Sequence, residues 1–208
     1  MTLPPSYFDR MYERADDPWG FVDRWYGERK RAVTLSSLPE PRYRTAFEPG
    51  CSIGILTSDL ARRCDFILAG DISDSAMNQA KDRLSDQPHV ELRRIRLPAE
   101  WPNQEFDLVV LSEILYYLDT ADLLETVDKA VDSVAPHGTL LSAHWRHAVP
   151  DYPQSGDVVQ RAVGRAAQDV LIQTVHHVEA DFDLAVYVRP LLGETADQVS
   201  VAGQGGLC

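Results

Sequence analysis

The 208-residue chain has little that would anchor it in a membrane, staple it with disulfides or export it. No run of 18 or more residues is free of charge, so the sequence offers no membrane span. Even the apolar stretch 106–118 is broken by Asp107 and Glu113. The segment Met1-Thr2-Leu3-Pro4-Pro5-Ser6-Tyr7 has neither a basic start nor an apolar core, and predicts no secretion signal. Cysteine is scarce: Cys51, Cys64 and Cys208 form an odd set without CxxC spacing. That argues against a disulfide framework or a zinc site and for a reduced, cytoplasmic protein. Positive charge is also short, with 20 Lys and Arg against 32 Asp and Glu, a formal charge of −12. Such a field repels phosphate backbones and acidic membranes, so neither nucleic acid nor a membrane is the expected partner. There is no GxSxG elbow, Walker loop, HExxH helix or Cys/His cluster. Hydrolase, nucleotidase and metalloenzyme readings therefore lack support, and no metal is expected.

The remainder is ordinary globular composition, 44% hydrophobic and 25% charged. A chain of this length buries ~70% of its unfolded surface, enough for one core, so one domain with an appendage is expected. Residues 6 to 36 mix Tyr7, Phe8, Tyr12, Trp19, Phe21, Trp25 and Tyr26 with charges, and predict helices over 6–15 and 20–37. Asp17-Pro18 interrupts them, and Leu38-Pro39-Glu40-Pro41 ends the second. From Tyr43 short apolar runs at 43–48, 65–70, 90–95, 106–111 and 138–143 alternate with helical periods near 54–63, 74–84 and 120–134. Ser73 or Asp74 is the expected cap of the second of these helices. Alternation of this kind implies crossover units and a parallel sheet covered on both faces. After Pro150 a helix near 157–167 precedes strand-like runs 170–179 and 182–189, read as an antiparallel hairpin at the sheet edge. Residues 191–208, small, polar and rich in Gly, read as a mobile tail.

Four segments fall at the carboxyl ends of strands, where ligands of open α/β sheets bind. The first is Glu48-Pro49-Gly50-Cys51-Ser52-Ile53-Gly54, a turn whose glycines permit a sharp bend and close approach of a ligand to backbone amides. Bulky Ile55 and Leu56 follow Gly54, so the turn is a poor match to a dinucleotide cradle. It resembles instead the first motif of class I S-adenosylmethionine-dependent methyltransferases, with Ser52 in place of the middle glycine. The second segment is Gly70-Asp71-Ile72-Ser73, whose carboxylate offers two acceptor oxygens to the vicinal hydroxyls of a ribose. Third is Arg96-Leu97-Pro98-Ala99-Glu100-Trp101, in which Trp101 either stacks on an adenine or plugs the loop. Arg96 stands where those methyltransferases commonly place an acid. The fourth is Ser112-Glu113-Ile114-Leu115-Tyr116-Tyr117, and His144-Trp145-Arg146 follows the next strand on the same edge. Asp71, Glu113 and His144 converge only if the sheet is parallel. His176 and His177 are adjacent within a strand, face opposite ways and read as structural.

Taken together, Asp17-Pro18-Trp19, Trp25-Tyr26-Gly27-Glu28-Arg29-Lys30, the glycine turn, Leu111 to Leu118 and His144-Trp145-Arg146 resemble the nodulation protein S family of class I methyltransferases. The resemblance runs from about Tyr7 to Pro190. It implies a Rossmann-like α/β fold, with a mostly parallel seven-stranded sheet in residues 41–190, an antiparallel carboxy-terminal hairpin, and a helical lid in residues 1–40. It implies S-adenosyl-L-methionine as cofactor, with S-adenosyl-L-homocysteine as product. The expected holders are Glu48, Gly50, Cys51, Ser52, Gly54, Asp71, Ile72, Trp101 and Ser112, with Arg29 facing the cofactor carboxylate. Glu113 and His144 are the expected catalytic pair, orienting or deprotonating the acceptor. That acceptor is a small molecule, foremost an amine such as an amino sugar. A hydroxyl acceptor and a non-catalytic cofactor sensor are the alternatives. Tyr7, Tyr12, Trp19 and Tyr26 either line the lid or simply pack it onto the sheet. The sequence does not set an oligomeric state.

Overall fold

Strand-period runs such as Ala46-Phe47 and Leu108-Val109-Val110-Leu111 are apolar at every position because both faces of their sheet are covered. In the computed structural model, which describes residues 1–191, successive side chains divide between two cores. Phe47, Val109 and Leu111 face a cluster completed by Leu123, Val127, Val159 and Val163. Ala46, Leu108 and Val110 face the other, with Leu60, Ile67 and Phe182.

The sheet comprises β1 (Tyr43–Pro49), β2 (Cys64–Asp71), β3 (Val90–Arg94), β4 (Phe106–Ser112), β5 (Val134–Trp145), β6 (Ile172–Val178) and β7 (Phe182–Val188). Their order is β3-β2-β1-β4-β5-β7-β6. The first five are mutually parallel, and β7 lies antiparallel to both β5 and β6. This is the seven-stranded arrangement that the resemblance implies. The order reverses between β1 and β4, which makes the carboxyl ends of those strands the switch point. The hairpin does not simply extend the sheet in chain order: β7 inserts beside β5 and leaves β6 at the edge.

The helices are α1 (Pro5–Arg14), α2 (Trp25–Ser37), α3 (Ile55–Ala61), α4 (Asp74–Arg83), α5 (Thr120–Asp132) and α6 (Gly156–Ala167). Ser73 caps α4, its hydroxyl accepting the Ala76 amide, which leaves Asp71 free of that duty. Helix α2 begins five residues later than the pattern predicts. Gly20 adopts φ +70, and the Asp17 carboxylate accepts the Phe21 and Val22 amides at 2.9 and 2.8 Å, so residues 20–24 form a turn. Among the described residues no helix is long and apolar enough to cross a membrane. Cys51 and Cys64 are buried free thiols. The tail expected over 191–208 lies, past Leu191, outside the described residues.

Candidate active site

The carboxyl ends of β1, β2 and β4 open into a cavity of about 410 Å³. Its floor holds Glu48, Gly50, Cys51, Ser52, Asp71, Ile72, Ser112 and Glu113. Its roof is the amino-terminal region, with Phe8, Tyr12, Trp19 and Phe21, and the Gly27, Lys30, Arg31 and Thr34 stripe of α2.

Backbone geometry explains the turn after β1. Gly50 has φ +74, and a Cβ there would come within 2.0 Å of Ile114 Cγ2. Gly54 has φ +76 and heads α3; a Cβ on it would press on Leu84 and Ala80 at 3.0 and 3.3 Å. Both positions thus serve protein packing, and Gly54 lies behind the cavity wall rather than on it. Ser52 takes the left-handed region without being glycine, at φ 53. Its amide donates to Asp71 Oδ2 at 2.9 Å, and its hydroxyl sits 2.5 Å from Tyr12 Oη.

Asp71 accepts the Ser73 amide through Oδ1, also at 2.9 Å. Each carboxylate oxygen therefore carries one backbone N–H and retains a lone pair for an incoming hydroxyl. Burial raises its carboxyl above the usual range, against the pull of the Ser73 and Ser52 amides.

Glu48 is 3% exposed, and its Oε2 has no hydrogen-bond partner. Burial pushes its carboxyl up to about 7, with the Thr57 hydroxyl and the Lys30 ammonium pulling the other way. Thr34 Oγ1, also buried on this wall, is likewise without a partner. A buried carboxyl oxygen without a partner is costly unless a ligand completes it.

Glu113 leaves β4 at φ 59 and meets four donors. Oε1 accepts Lys30 Nζ and Tyr26 Oη, both at 2.9 Å, while Oε2 accepts the Trp145 amide at 3.0 Å and the Tyr116 hydroxyl. Burial alone would raise its carboxyl, but the Lys30 ammonium overrides this and holds it below the ordinary value. It is an ionised hub with its acceptor positions filled.

Four expected site residues are placed elsewhere. Arg29 leaves the cavity and pairs with Glu179 through both its Nε, at 3.2 Å, and its terminal nitrogen, because successive helical residues point about 100° apart. Trp101 packs edge-on against Phe47, ring centroids 4.9 Å apart, and plugs the loop core. Gly54 serves helix packing, as above. His144 is fully buried behind Glu113: Nε2 accepts the Leu115 amide at 3.3 Å, and Nδ1 lies 3.2 Å from both Ser142 Oγ and Gln160 Oε1. Burial drives its pKa down to about 4, so it is a neutral core side chain. Tyr7 and Tyr26 are likewise off the cavity, whereas Tyr12 and Trp19 line it. His176 and His177 bond separately, to Asp183 and Glu179.

Sequence reasoning missed Lys30, Arg31 and Thr34. Their signal was present as an i, i+3, i+4, i+7 stripe from Gly27, on a helix too polar overall for that stripe to stand out. The segment 2–4, which has no regular secondary structure, was missed too. It crosses the cavity rim, with the Leu3 amide on Tyr117 O at 2.9 Å and Thr2 bonded to Asp119.

A family model for nodulation protein S (NodS) matches residues 9–174. Nodulation protein S of Rhizobium tropici is 29% identical over 136 residues, 64% of this chain and 57% of that protein, so the chain spans less than two thirds of that curated relative. Among solved structures, a candidate methyltransferase from Pseudomonas syringae is 42% identical, with a TM-score of 0.70 over 80% of this chain and 100% of that one. The N-methyltransferase NodS from Bradyrhizobium japonicum WM9, solved with S-adenosyl-L-homocysteine, is 23% identical, with a TM-score of 0.78 over 88% and 98% of the two chains.

Proposed function

The chain belongs to the nodulation protein S family and has the class I methyltransferase fold, and on that footing we propose that it is an S-adenosylmethionine-dependent N-methyltransferase of a small amine, an amino sugar foremost. When bound, S-adenosylmethionine supplies an electrophilic methyl group on a sulfonium. The floor suits such a molecule: Asp71 has a lone pair on each oxygen for the ribose hydroxyls, and Glu48 has an unpartnered Oε2 for an α-ammonium. Gly50, Cys51, Ser52, Ile72 and Ser112 shape the wall between them. Residues 1–40 act as a lid, carrying Phe8, Tyr12, Trp19 and Phe21 over the cavity and excluding water that would compete for the methyl group.

One observation carries the preference for an amine: neither expected base is free. Glu113 already accepts four hydrogen bonds, and His144 is buried away from the cavity. The chain's task is then alignment of a nucleophile that already has its lone pair. A neutral amine attacks in line with the departing thioether, and the methylammonium formed gives its proton to solvent after release. Glu113 acts through Lys30, Tyr26, Tyr116 and the Trp145 amide to fix the end of β4, a positioning role. A hydroxyl acceptor would require a base, and neither Glu113 nor His144 is free to serve as one.

The test is transfer of a labelled methyl group from S-adenosylmethionine to a panel of amino sugars and small amines, run beside their hydroxyl analogues. Label in amines alone is the expected result. Label in the hydroxyl compounds alone, or in nothing, overturns the reading.

A further inference from the structure

The roof of the cavity is fastened on two sides. Toward β1 and β2, α1 is held where Tyr12 Oη lies 2.5 Å from Ser52 Oγ and where Ser73 Oγ donates to Asp9 Oδ1 at 2.9 Å. The amides of those two serines orient Asp71, so release on this side would disturb the floor itself. Toward α5 the fastening is residue 2. Thr2 Oγ1 accepts the Asp119 amide at 2.9 Å and donates to Asp122 Oδ2, while the Thr2 amide donates to Asp119 Oδ2 at 3.2 Å. The Leu3 amide adds a bond to Tyr117 O at 2.9 Å. Asp119 is at the same time the cap of α5, its Oδ1 accepting the Ala121 and Asp122 amides, both at 3.1 Å. One carboxylate thus serves both the helix and residue 2, with one oxygen for each.

The seam between residues 2–4 and 117–122 can part at small cost. Thr2, Leu3 and Pro4 are not buried, so opening exposes little apolar surface. The partners it releases, Tyr117, Asp119 and Asp122, include none of the groups that bond to Asp71 or Glu113. Pro4 and Pro5 in succession keep the segment extended and stiff, and Pro5 begins α1. Leu3, Pro4 and Pro5, which all line the cavity, therefore leave its rim together when Thr2 lets go. We propose that residues 2–4 form a gate latched at Thr2, through which S-adenosylmethionine enters and S-adenosylhomocysteine leaves. This rests on the methyltransferase reading and adds a positioning residue to it: Thr2 sets how often the cavity opens and touches no reacting atom. Its hydroxyl and amide are engaged with Asp119 and Asp122, so the latch is a contact within the chain rather than a hold on the ligand.

Stopped-flow binding and displacement of S-adenosylhomocysteine tests the gate, followed by tryptophan fluorescence, to which Trp19 on the cavity wall contributes. A gate must open for passage in either direction. Thr2→Val deletes the hydroxyl and keeps the shape. It should speed association and dissociation alike, by about 5- to 30-fold for two hydrogen bonds, one of them to a carboxylate, and leave Kd within about threefold. Thr2→Ser restores the hydroxyl and should return both rates to within about threefold of wild type. Hydrogen exchange at the Leu3 amide should rise in Thr2→Val by the same factor as the rates, with β4 unchanged. Unchanged rates in Thr2→Val overturn the gate. So does faster dissociation alone with a matching loss of affinity, which would make Thr2 part of the hold on the ligand, and so does Thr2→Ser behaving like Thr2→Val. In each of those cases S-adenosylhomocysteine still binds and the methyltransferase reading stands, whereas no binding by wild type removes both.

Discussion

Tyr12 Oη and Ser52 Oγ lie 2.5 Å apart, joining α1 of the roof to the tight turn after β1. Serine at φ 53 pays a conformational penalty that glycine would not, and this hydroxyl contact is the return on it. The roof is fastened again where Ser73 Oγ donates to Asp9 Oδ1 at 2.9 Å. A side chain in the middle of the turn thus ties the roof of the cavity to its floor.

Tyr12→Phe removes the first contact while preserving the ring, and should loosen α1 from the turn by about 1 kcal/mol. Amide hydrogen exchange across α1 is expected to speed several-fold, with β4 and β5 unchanged. Uniform exchange across the chain would place the effect in global stability instead.

Glu113→Gln strands the Lys30 ammonium among buried groups, and should lower stability by about 3 kcal/mol. Because Glu113 is read as a positioning residue, the variant should lose rate through misalignment while keeping the shape of its pH profile. Loss of an acid-side limb from the kcat/KM profile would restore Glu113 to the role of base.

His144 titrates near 4 in the folded protein, below its ordinary 6.5. The folded state therefore binds this proton less tightly than the unfolded chain does. Stability is fully present above pH 6.5 and is lost as pH falls toward 4. His144→Gln should flatten that part of a denaturation-against-pH curve and leave methyl transfer within about threefold, as expected of a packing residue. A hundredfold loss of transfer at unchanged stability would contradict the structural role.

Glu48 shows the opposite sign. Its carboxyl is raised from 4.5 to about 7, so the stability it contributes is present below 4.5 and is lost as pH rises to 7. A ligand ammonium would pair with the ionised form. The gain in Tm on adding S-adenosylhomocysteine should consequently be larger at pH 8 than at pH 6, and Glu48→Gln should remove the difference. An equal gain at both pH values in wild type would leave Glu48 without this task.

Gly50→Ala combines a left-handed backbone with a methyl 2.0 Å from Ile114, and should cost about 2–4 kcal/mol. Chemical denaturation reads this directly; a change below 0.5 kcal/mol, roughly the scatter of surface substitutions, would mean that the turn relaxes freely.

The strand order's consequences were legible because β1, β2 and β4 are apolar at consecutive positions and end in Glu48, Asp71 and Ser112-Glu113, which share one edge. Local chemistry was enough there. It failed for Arg29 against Lys30, since which neighbouring helical residue meets the cavity depends on how α2 rotates onto the sheet, and Tyr26 packing on Trp145 and Phe182 sets that rotation. His144 was misread for a related reason. Its place at a strand end is visible in sequence, but the Ser142, Gln160 and Leu115 partners that bury it come from three separate elements. Trp101 offered two fates, and contact with Phe47 in β1 decided between them.

The account depends above all on Asp71 gripping the sugar of an adenosyl ligand, with both its oxygens already oriented by the Ser52 and Ser73 amides. Isothermal titration with S-adenosylhomocysteine is the most direct measurement. One saturable site per chain is predicted for wild type, with affinity at least 30-fold weaker in Asp71→Ala, about 2 kcal/mol for lost charge-assisted hydrogen bonds. No heat and no thermal shift in wild type, or undiminished affinity in Asp71→Ala, would contradict it.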